Sequence, residues 1–244
     1  MNTSKRQLPS FKHSGSGKKE FVEKMFDDIS PHYDFLNHLL SLGMDIYWRK
    51  IFIRNLDIQN GKTLIDVACG TGDIGFTILK SHKIKLINID LSKNMLGIAK
   101  KKALKKKLYD IHFIQGDAEI LPLENDSIDC LTIAYGFRNI AHYDKALEEF
   151  YRVLKPGGKL SILEFSKSKT KFFNTIFQIY FNKILPKLAS LISRADAYRY
   201  LPESVKYFPD ETEISKFLSD NNFIDISSDS LTLGVATIYT GIKN

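Results

Sequence analysis

The stretch Asp66-Val-Ala-Cys-Gly-Thr-Gly-Asp-Ile-Gly75 narrows the possible folds of this 244-residue chain more than any other segment. It starts in the apolar pattern of a buried strand and runs into a helical one, with Gly70, Gly72 and Gly75 in a G-x-G-x-x-G arrangement. Glycine allows positive φ and a close backbone approach to a ligand, and the helix that follows offers unpaired N–H groups. Asp90 stands at the end of the next strand pattern, where a carboxylate can accept both hydroxyl hydrogens of an adenosine ribose. The combination predicts an α/β fold with a nucleotide-like cofactor.

The rest of the pattern agrees with a parallel sheet covered by helices on both faces. Strands are expected at 63–68, 84–89, 111–114, 128–134 and 159–164, with the clearest helices at 92–107 and 143–154. Two strand-like runs at 224–228 and 234–239 predict a C-terminal hairpin. Upstream, apolar residues at helical spacing over 21–26 and 33–42, broken at Ser30-Pro31, predict a helical extension able to cover a pocket. The expected organisation is a flexible basic tail (1–19) and one domain (20–244). That domain carries an N-terminal helical extension (20–60) and a helical insertion (168–205).

Charge has to be placed before it is interpreted. The net charge is +7, but much of it lies in Lys100–Lys107 and in the tail, which read as solvated surfaces rather than a nucleic-acid patch. No apolar run is long enough to span a membrane, no secretory leader is evident, and Cys69 and Cys130 are too few for a disulfide framework. A cytoplasmic location is expected, with a peripheral place at the inner membrane surface as a secondary expectation. The histidines are scattered and neither cysteine has a ligand-spaced partner, so no metal is expected.

The loop has to be matched to a cofactor. A dinucleotide places its pyrophosphate on the helix N-terminus, where Asp66 and Asp73 would repel it. S-adenosylmethionine has no phosphate and ends in a cationic amine, which those carboxylates would favour. Asp117, in Gln115-Gly-Asp-Ala118, can accept from the adenine amine while Ala118 supplies a backbone N–H. As a rival, Asp117 is an ordinary turn or cap residue.

At this point the chain resembles the class I S-adenosylmethionine methyltransferases, through Asp66 to Gly72, Asp90 and the Leu154-Lys-Pro-Gly-Gly158 turn. More specific stretches resemble the UbiE/MenG family of ubiquinone and menaquinone C-methyltransferases. These are Phe26-Asp-Asp-Ile-Ser-Pro-His-Tyr-Asp-Phe-Leu-Asn37, Trp48-Arg49, Tyr135-Gly-Phe-Arg-Asn139, Tyr151-Arg-Val-Leu-Lys-Pro-Gly-Gly158, Leu163-Glu-Phe-Ser166 and Tyr198-Arg-Tyr-Leu-Pro-Glu-Ser204. The resemblance implies a Rossmann-like, seven-stranded, mostly parallel sheet with a C-terminal antiparallel hairpin. It implies S-adenosyl-L-methionine as cofactor, held through Thr71, Asp90, Asp117, Ala118 and the position of Ala134, beside the loop residues Asp66, Gly70 and Gly72. The family pattern has Ser where this chain has Ala134, so a backbone contact survives there and a hydroxyl contact does not.

Methyl transfer to a quinol ring needs an in-line donor, an electron-rich carbon and a route for a proton. Arg138 is placed to stabilise the phenolate and Asn139 to orient the ring or a water. His142, Tyr33 and Glu164 are the candidate bases; a helix-start role for His142 and an Arg138–carboxylate pair are the structural alternatives. An apolar stripe from Phe172 to Ile192, with Lys171, Lys183 and Lys187 interspersed, suits core packing or a cover for a prenyl tail at a membrane surface. The expected partner is a prenylated quinol, most of all demethylmenaquinol. A peripheral membrane contact and a homodimer are secondary expectations, and nucleic acid is not expected. The alternatives are benzoquinol C-methylation in the ubiquinone pathway, RNA methylation, a non-enzymatic adaptor and an NAD-dependent oxidoreductase.

Overall fold

The computed structural model describes residues 16–41, 43–166, 200 and 203–244. The basic tail up to residue 15 and the stripe from Phe172 to Ile192 lie outside the described residues, as does most of the expected insertion.

Parallel strands β1 (Thr63–Val67), β2 (Lys85–Asp90), β3 (Ile111–Gln115), β4 (Ile128–Ala134) and β5 (Leu154–Phe165) are joined by β6 (Phe223–Leu231) and β7 (Ala236–Lys243) in the order β3-β2-β1-β4-β5-β7-β6. β7 runs antiparallel to both of its neighbours. The expected mixed sheet and terminal hairpin are both present.

The strands form because both faces of the sheet are buried, which favours near-continuous apolar runs over alternation. Along β1, Leu64 packs into one cluster with Trp48, Phe52, Ile78 and Leu86, while Ile65 and Val67 pack into the other with Phe137, Leu147 and Phe150. The first cluster lies under α3 (Met44–Leu56), α4 (Asp73–Ile78) and α5 (Lys93–Lys105); the second lies under α6 (Tyr143–Val153) and α7 (Glu211–Asp220). α3 buries Trp48, Phe52 and Leu56, one turn apart on one face.

Ahead of α3, α1 (Ser16–Ile29) and α2 (Tyr33–Leu40) are separated by a 3-10 turn at Ser30–His32 that holds Pro31, as the Ser30-Pro31 break predicts. Three differences from expectation are local. β5 is longer at its start because Leu154 already pairs with Ile128 before the Pro-Gly-Gly turn interrupts the ladder. α5 ends at Lys105, short of the expected Lys107, which adopts φ +59 beyond the helix. α7 was not anticipated, although Asp210 and Glu213 form a reciprocal capping box and Ile214 and Leu218 are buried. No helix among the described residues is long and apolar enough to cross a membrane.

Candidate active site

Parallel topology brings the carboxyl ends of β1, β2, β3 and β4 to one edge, where open α/β sheets bind ligands. Backbone bonds tie the loops there together: Cys69 N–H donates to the Ile89 carbonyl at 3.0 Å and Gly116 N–H to that of Asp90 at 3.1 Å. Gly70, at φ +54, donates its N–H to Asp90 Oδ2 at 2.7 Å, and Ser92 N–H reaches Asp90 Oδ1 at 2.8 Å. Each carboxylate oxygen keeps a further lone pair for a ligand hydroxyl. Burial pushes the Asp90 carboxyl up to about 6.

Two pockets meet at Ala68, which lines both. The larger encloses about 1080 Å³ counting its open mouth. Its walls include Gly70, Thr71 and Ala134 from the sheet edge, Met25, Phe26 and Tyr33 from the N-terminal helices, and Tyr135, Arg138 and Phe165 opposite. The smaller is lined by Asp117, Ala118, Gly116 and Asn139. The cofactor-binding expectations Gly70, Thr71, Asp117, Ala118 and Ala134 therefore converge on one continuous edge. Gly72 is the N-cap of α4 at φ +84 and lines neither pocket, and Asp90 also lies outside both linings, behind the loop whose Gly70 N–H it accepts. Asp66 lies beneath the loop, buried in β1, where it accepts from Thr132 Oγ1 at 2.8 Å and burial pushes it up to about 7.

A glycine is needed at position 136: a Cβ there would stand 2.5 Å from the Ala68 Cβ. The β1 and β4 loops thus touch where the pockets join. The residues at this edge, with carboxylates at Asp90 and Asp117 beside a glycine loop, fit a cofactor such as S-adenosylmethionine, whose cationic amine and ribose hydroxyls suit carboxylate acceptors. Asp73 does not present the free charge that its place in the sequence suggests. It is ion-paired with both Arg49, at 2.6 Å, and Lys102, so its charge is already answered and it does not by itself exclude a phosphate.

The N-terminal helices cover this edge through polar contacts as well as apolar ones. Asp34 accepts from Thr71 Oγ1 at 2.6 Å and from Lys102 Nζ at 2.9 Å. Arg49 also pairs with Asp45, which takes Ser41 Oγ at 2.7 Å and His38 Nδ1 at 2.9 Å. Lys102 belongs to the basic run read as solvated; its neighbours Lys100, Lys101, Lys105, Lys106 and Lys107 are exposed, but Lys102 turns inward to the loop. At the start of α1, buried Lys18 donates to the carbonyls of Arg138 at 2.8 Å and Ile140 at 2.7 Å, and Lys19 pairs with Asp117. Burial lowers the Lys18 ammonium to about 8.

Among the candidate catalytic groups, Arg138 lines the larger pocket and is held from behind by Glu164. Its Nη1 meets Glu164 Oε1 at 2.6 Å, its backbone N–H donates to Oε2 at 3.1 Å, and Glu164 is fully buried. Glu164 lines neither pocket and is engaged as the partner of Arg138. Asn139 is buried, donates to the Tyr135 carbonyl at 3.3 Å and accepts from the Tyr200 hydroxyl at 3.1 Å. Tyr33 lines the larger pocket, and burial raises its phenol. His142 is the N-cap of α6, half-exposed and turned to Glu119 at 2.8 Å, and it lines neither pocket.

Sequence reasoning assigned no role to Tyr135, Lys18, Lys19 or the Asp45–Arg49 pair. The stretches that hold Tyr135 and Arg49 do stand among the family-like ones, but nothing local to them indicates which pocket they reach.

A model of the ubiE/COQ5 methyltransferase family matches residues 14–243. A ubiquinone/menaquinone biosynthesis C-methyltransferase UbiE from Geotalea daltonii is 38% identical, covering 96% of this chain and 100% of that protein. A demethylmenaquinone methyltransferase from Thermus thermophilus is 40% identical over 89% of this chain and 99% of its own length. Among solved structures, a SAM-dependent methyltransferase from Thermotoga maritima superposes with a TM-score of 0.64 at 19% identity, covering 91% of this chain and 100% of that one. That last likeness is one of fold.

Proposed function

The chain belongs to the ubiE/COQ5 methyltransferase family and is an S-adenosylmethionine-dependent C-methyltransferase of quinone biosynthesis, and from that premise we propose that it converts demethylmenaquinol to menaquinol. The observation that carries the quinol assignment is Arg138: a cation fixed by a fully buried carboxylate, set in the wall of a pocket whose apolar lining includes Met25, Phe26, Ile29 and Phe165 and whose polar side carries the paired Asp45, Arg49 and Asp73. Apolar walls suit a ring with a prenyl tail, and a fixed cation suits a hydroxyl that must become phenolate-like. Two readings of the headgroup remain, menaquinol and benzoquinol; the full-length likeness to the Thermus thermophilus protein favours the first.

S-adenosylmethionine supplies an electrophilic methyl group on a sulfonium. In this reading Asp90 accepts the ribose hydroxyls, Asp117 and the Ala118 N–H take the adenine, and Gly70, Thr71 and Ala134 bound the amino-acid end. Asp66 and Gly72 shape the loop from beneath and behind. Arg138 would stabilise negative charge on the quinol oxygen beside the reacting carbon as the hydroxyl proton passes to solvent, which makes that carbon nucleophilic; after methyl transfer the carbon's own proton is lost to water and the ring regains aromaticity. Its Nε and Nη1 are engaged by Ser204, the Tyr135 carbonyl and Glu164, and Nη2 takes none of these bonds. Asn139 holds the turn that presents Arg138. Tyr33, kept protonated by burial, acts as a donor toward the ring rather than as a base. Phe35, Ile46 and Tyr47 on α2 and α3 are exposed apolar side chains that would suit peripheral contact with the membrane that carries the prenyl chain.

The test is methyl transfer from labelled S-adenosylmethionine to short-chain demethylmenaquinol and to the demethylated ubiquinone intermediate, each reduced and oxidised, with RNA as a control. Label on a reduced quinol, and preferentially on the naphthoquinol, is expected. Label on RNA alone, or cofactor binding without label on any quinol, would overturn the reading.

A further inference from the structure

Tyr135 directly follows β4 in the left-handed region, at φ +58, a conformation that a side-chain-bearing residue keeps only where the surrounding structure requires it. Its ring stands 4.9 Å from that of Phe165, which meets Trp48 edge-on at 5.9 Å, so three aromatics form one rigid wall. Tyr135 lines the larger pocket, yet its hydroxyl is buried and has no hydrogen-bond partner among the described residues. Leaving a buried hydroxyl unpaired is unfavourable.

Among the described residues, the charged groups nearby are already engaged elsewhere. Asp45, Arg49, Arg138 and Glu164 are the charges that bear on this phenol. Asp45 is engaged by His38, Ser41 and Arg49, Arg49 also by Asp73, and Arg138 with Glu164. Burial drives the phenol well above its ordinary range, so it stays a neutral donor and acceptor. A neutral ring hydroxyl is the chemistry that completes such a group without burying a new charge.

We propose that Tyr135 is a substrate-binding residue whose hydroxyl pairs with the quinol hydroxyl farther from the methylated carbon, while Arg138 serves the nearer one. The inference rests on the quinol reading above. It gives the pocket two polar contacts across one flat ring, held apart by the wall that Phe165 supports.

The test compares the full-length protein with Tyr135→Phe, which keeps the ring and removes only the hydroxyl. Three readouts are taken: thermal midpoint, S-adenosylmethionine Kd, and steady-state kinetics on short-chain demethylmenaquinol and on the same ring lacking the hydroxyl farther from the methylated carbon. Expected are an unchanged or higher midpoint, an unchanged cofactor Kd, and a KM for the quinol raised about 3- to 10-fold. On the analogue without that hydroxyl, wild type and variant should coincide. Identical quinol kinetics for the two proteins, a shift confined to cofactor Kd, or an equal KM change on both acceptors would overturn the assignment while leaving the quinol reading standing. No turnover of any quinol by the wild type would overturn both.

Discussion

At Asp90 two effects oppose one another. Burial raises its carboxyl to about 6, whereas the N–H groups of Gly70 and Ser92 favour the ionised form and keep the rise from being larger. Because the raised value means the folded protein holds the proton more tightly than the unfolded chain, its ionisation costs stability as pH rises from about 4 to about 6. Cofactor binding has the opposite sign, since only the carboxylate accepts both ribose hydroxyls. S-adenosylmethionine affinity is therefore expected to be full above about pH 6 and to fall by up to about tenfold per unit below it. Calorimetry from pH 5 to 8 checks this: Asp90→Asn should bind weakly with no such slope, and Asp66→Asn should retain it although Asp66 titrates at about 7. Arg138 and Glu164 make a second test at this scale. Arg138→Ala strands a fully buried carboxylate and should cost about 3–5 kcal/mol in chemical denaturation. Adding Glu164→Gln should restore much of that stability but not the methyl transfer, separating the structural role of the pair from the chemical role of the cation.

Between elements, the decisive contact is where the β1 loop meets the β4 loop. Gly136 and Ala68 come so close that a Cβ on the glycine would lie 2.5 Å from its neighbour's. Gly136→Ala must push the loops apart, an overpacking error of about 1–3 kcal/mol, at the point shared by both pockets. Its thermal midpoint and cofactor affinity should fall together. Ala68→Gly in the same protein should recover both, because it removes the clashing methyl and also relieves the φ of +51 at that position; recovery of the midpoint without the affinity would argue against a shared contact. The N-terminal helices add a second interlock. Lys18 binds the carbonyls of the Arg138 turn while Lys19 pairs with Asp117, so the same helical turn of α1 touches both the Arg138 turn and the loop after β3.

For the whole molecule, β7 is the strand on which the hairpin and the sheet depend. It lies between β5 and β6 and buries Ala236, Ile238 and Tyr239 completely. Truncation after Val235 would open the edge of β5 and expose that apolar face, and an uncovered edge is a template for aggregation. The shortened chain should be largely insoluble, or elute as soluble aggregate in size-exclusion chromatography; a monomeric product with cofactor affinity intact would show that the last strand is dispensable.

The sheet, the glycine loop, Asp90 and the terminal hairpin were legible in the sequence because each depends on local pattern: apolar runs for strands buried on both faces, glycines at turn spacing, an acid at a strand end. Even α7 is legible from Asp210 and Glu213, whose capping box is a local signal. The roles of Glu164 and His142 were not legible. Each is a plausible base by residue type, and only the packing of β5 against the Arg138 turn, and of His142 against Glu119, turns both away from the pockets. Tertiary structure likewise brought Lys18, Lys19 and Lys102 inward out of a charge pattern that reads as solvated, and left the Tyr135 hydroxyl without a partner. The sequence by itself determined which elements form and which cofactor chemistry they suit, since those follow from neighbours along the chain. Which side chains face the ligand was decided by contacts between residues far apart in sequence, such as Lys18 with Arg138, and such contacts exist only once the sheet has assembled.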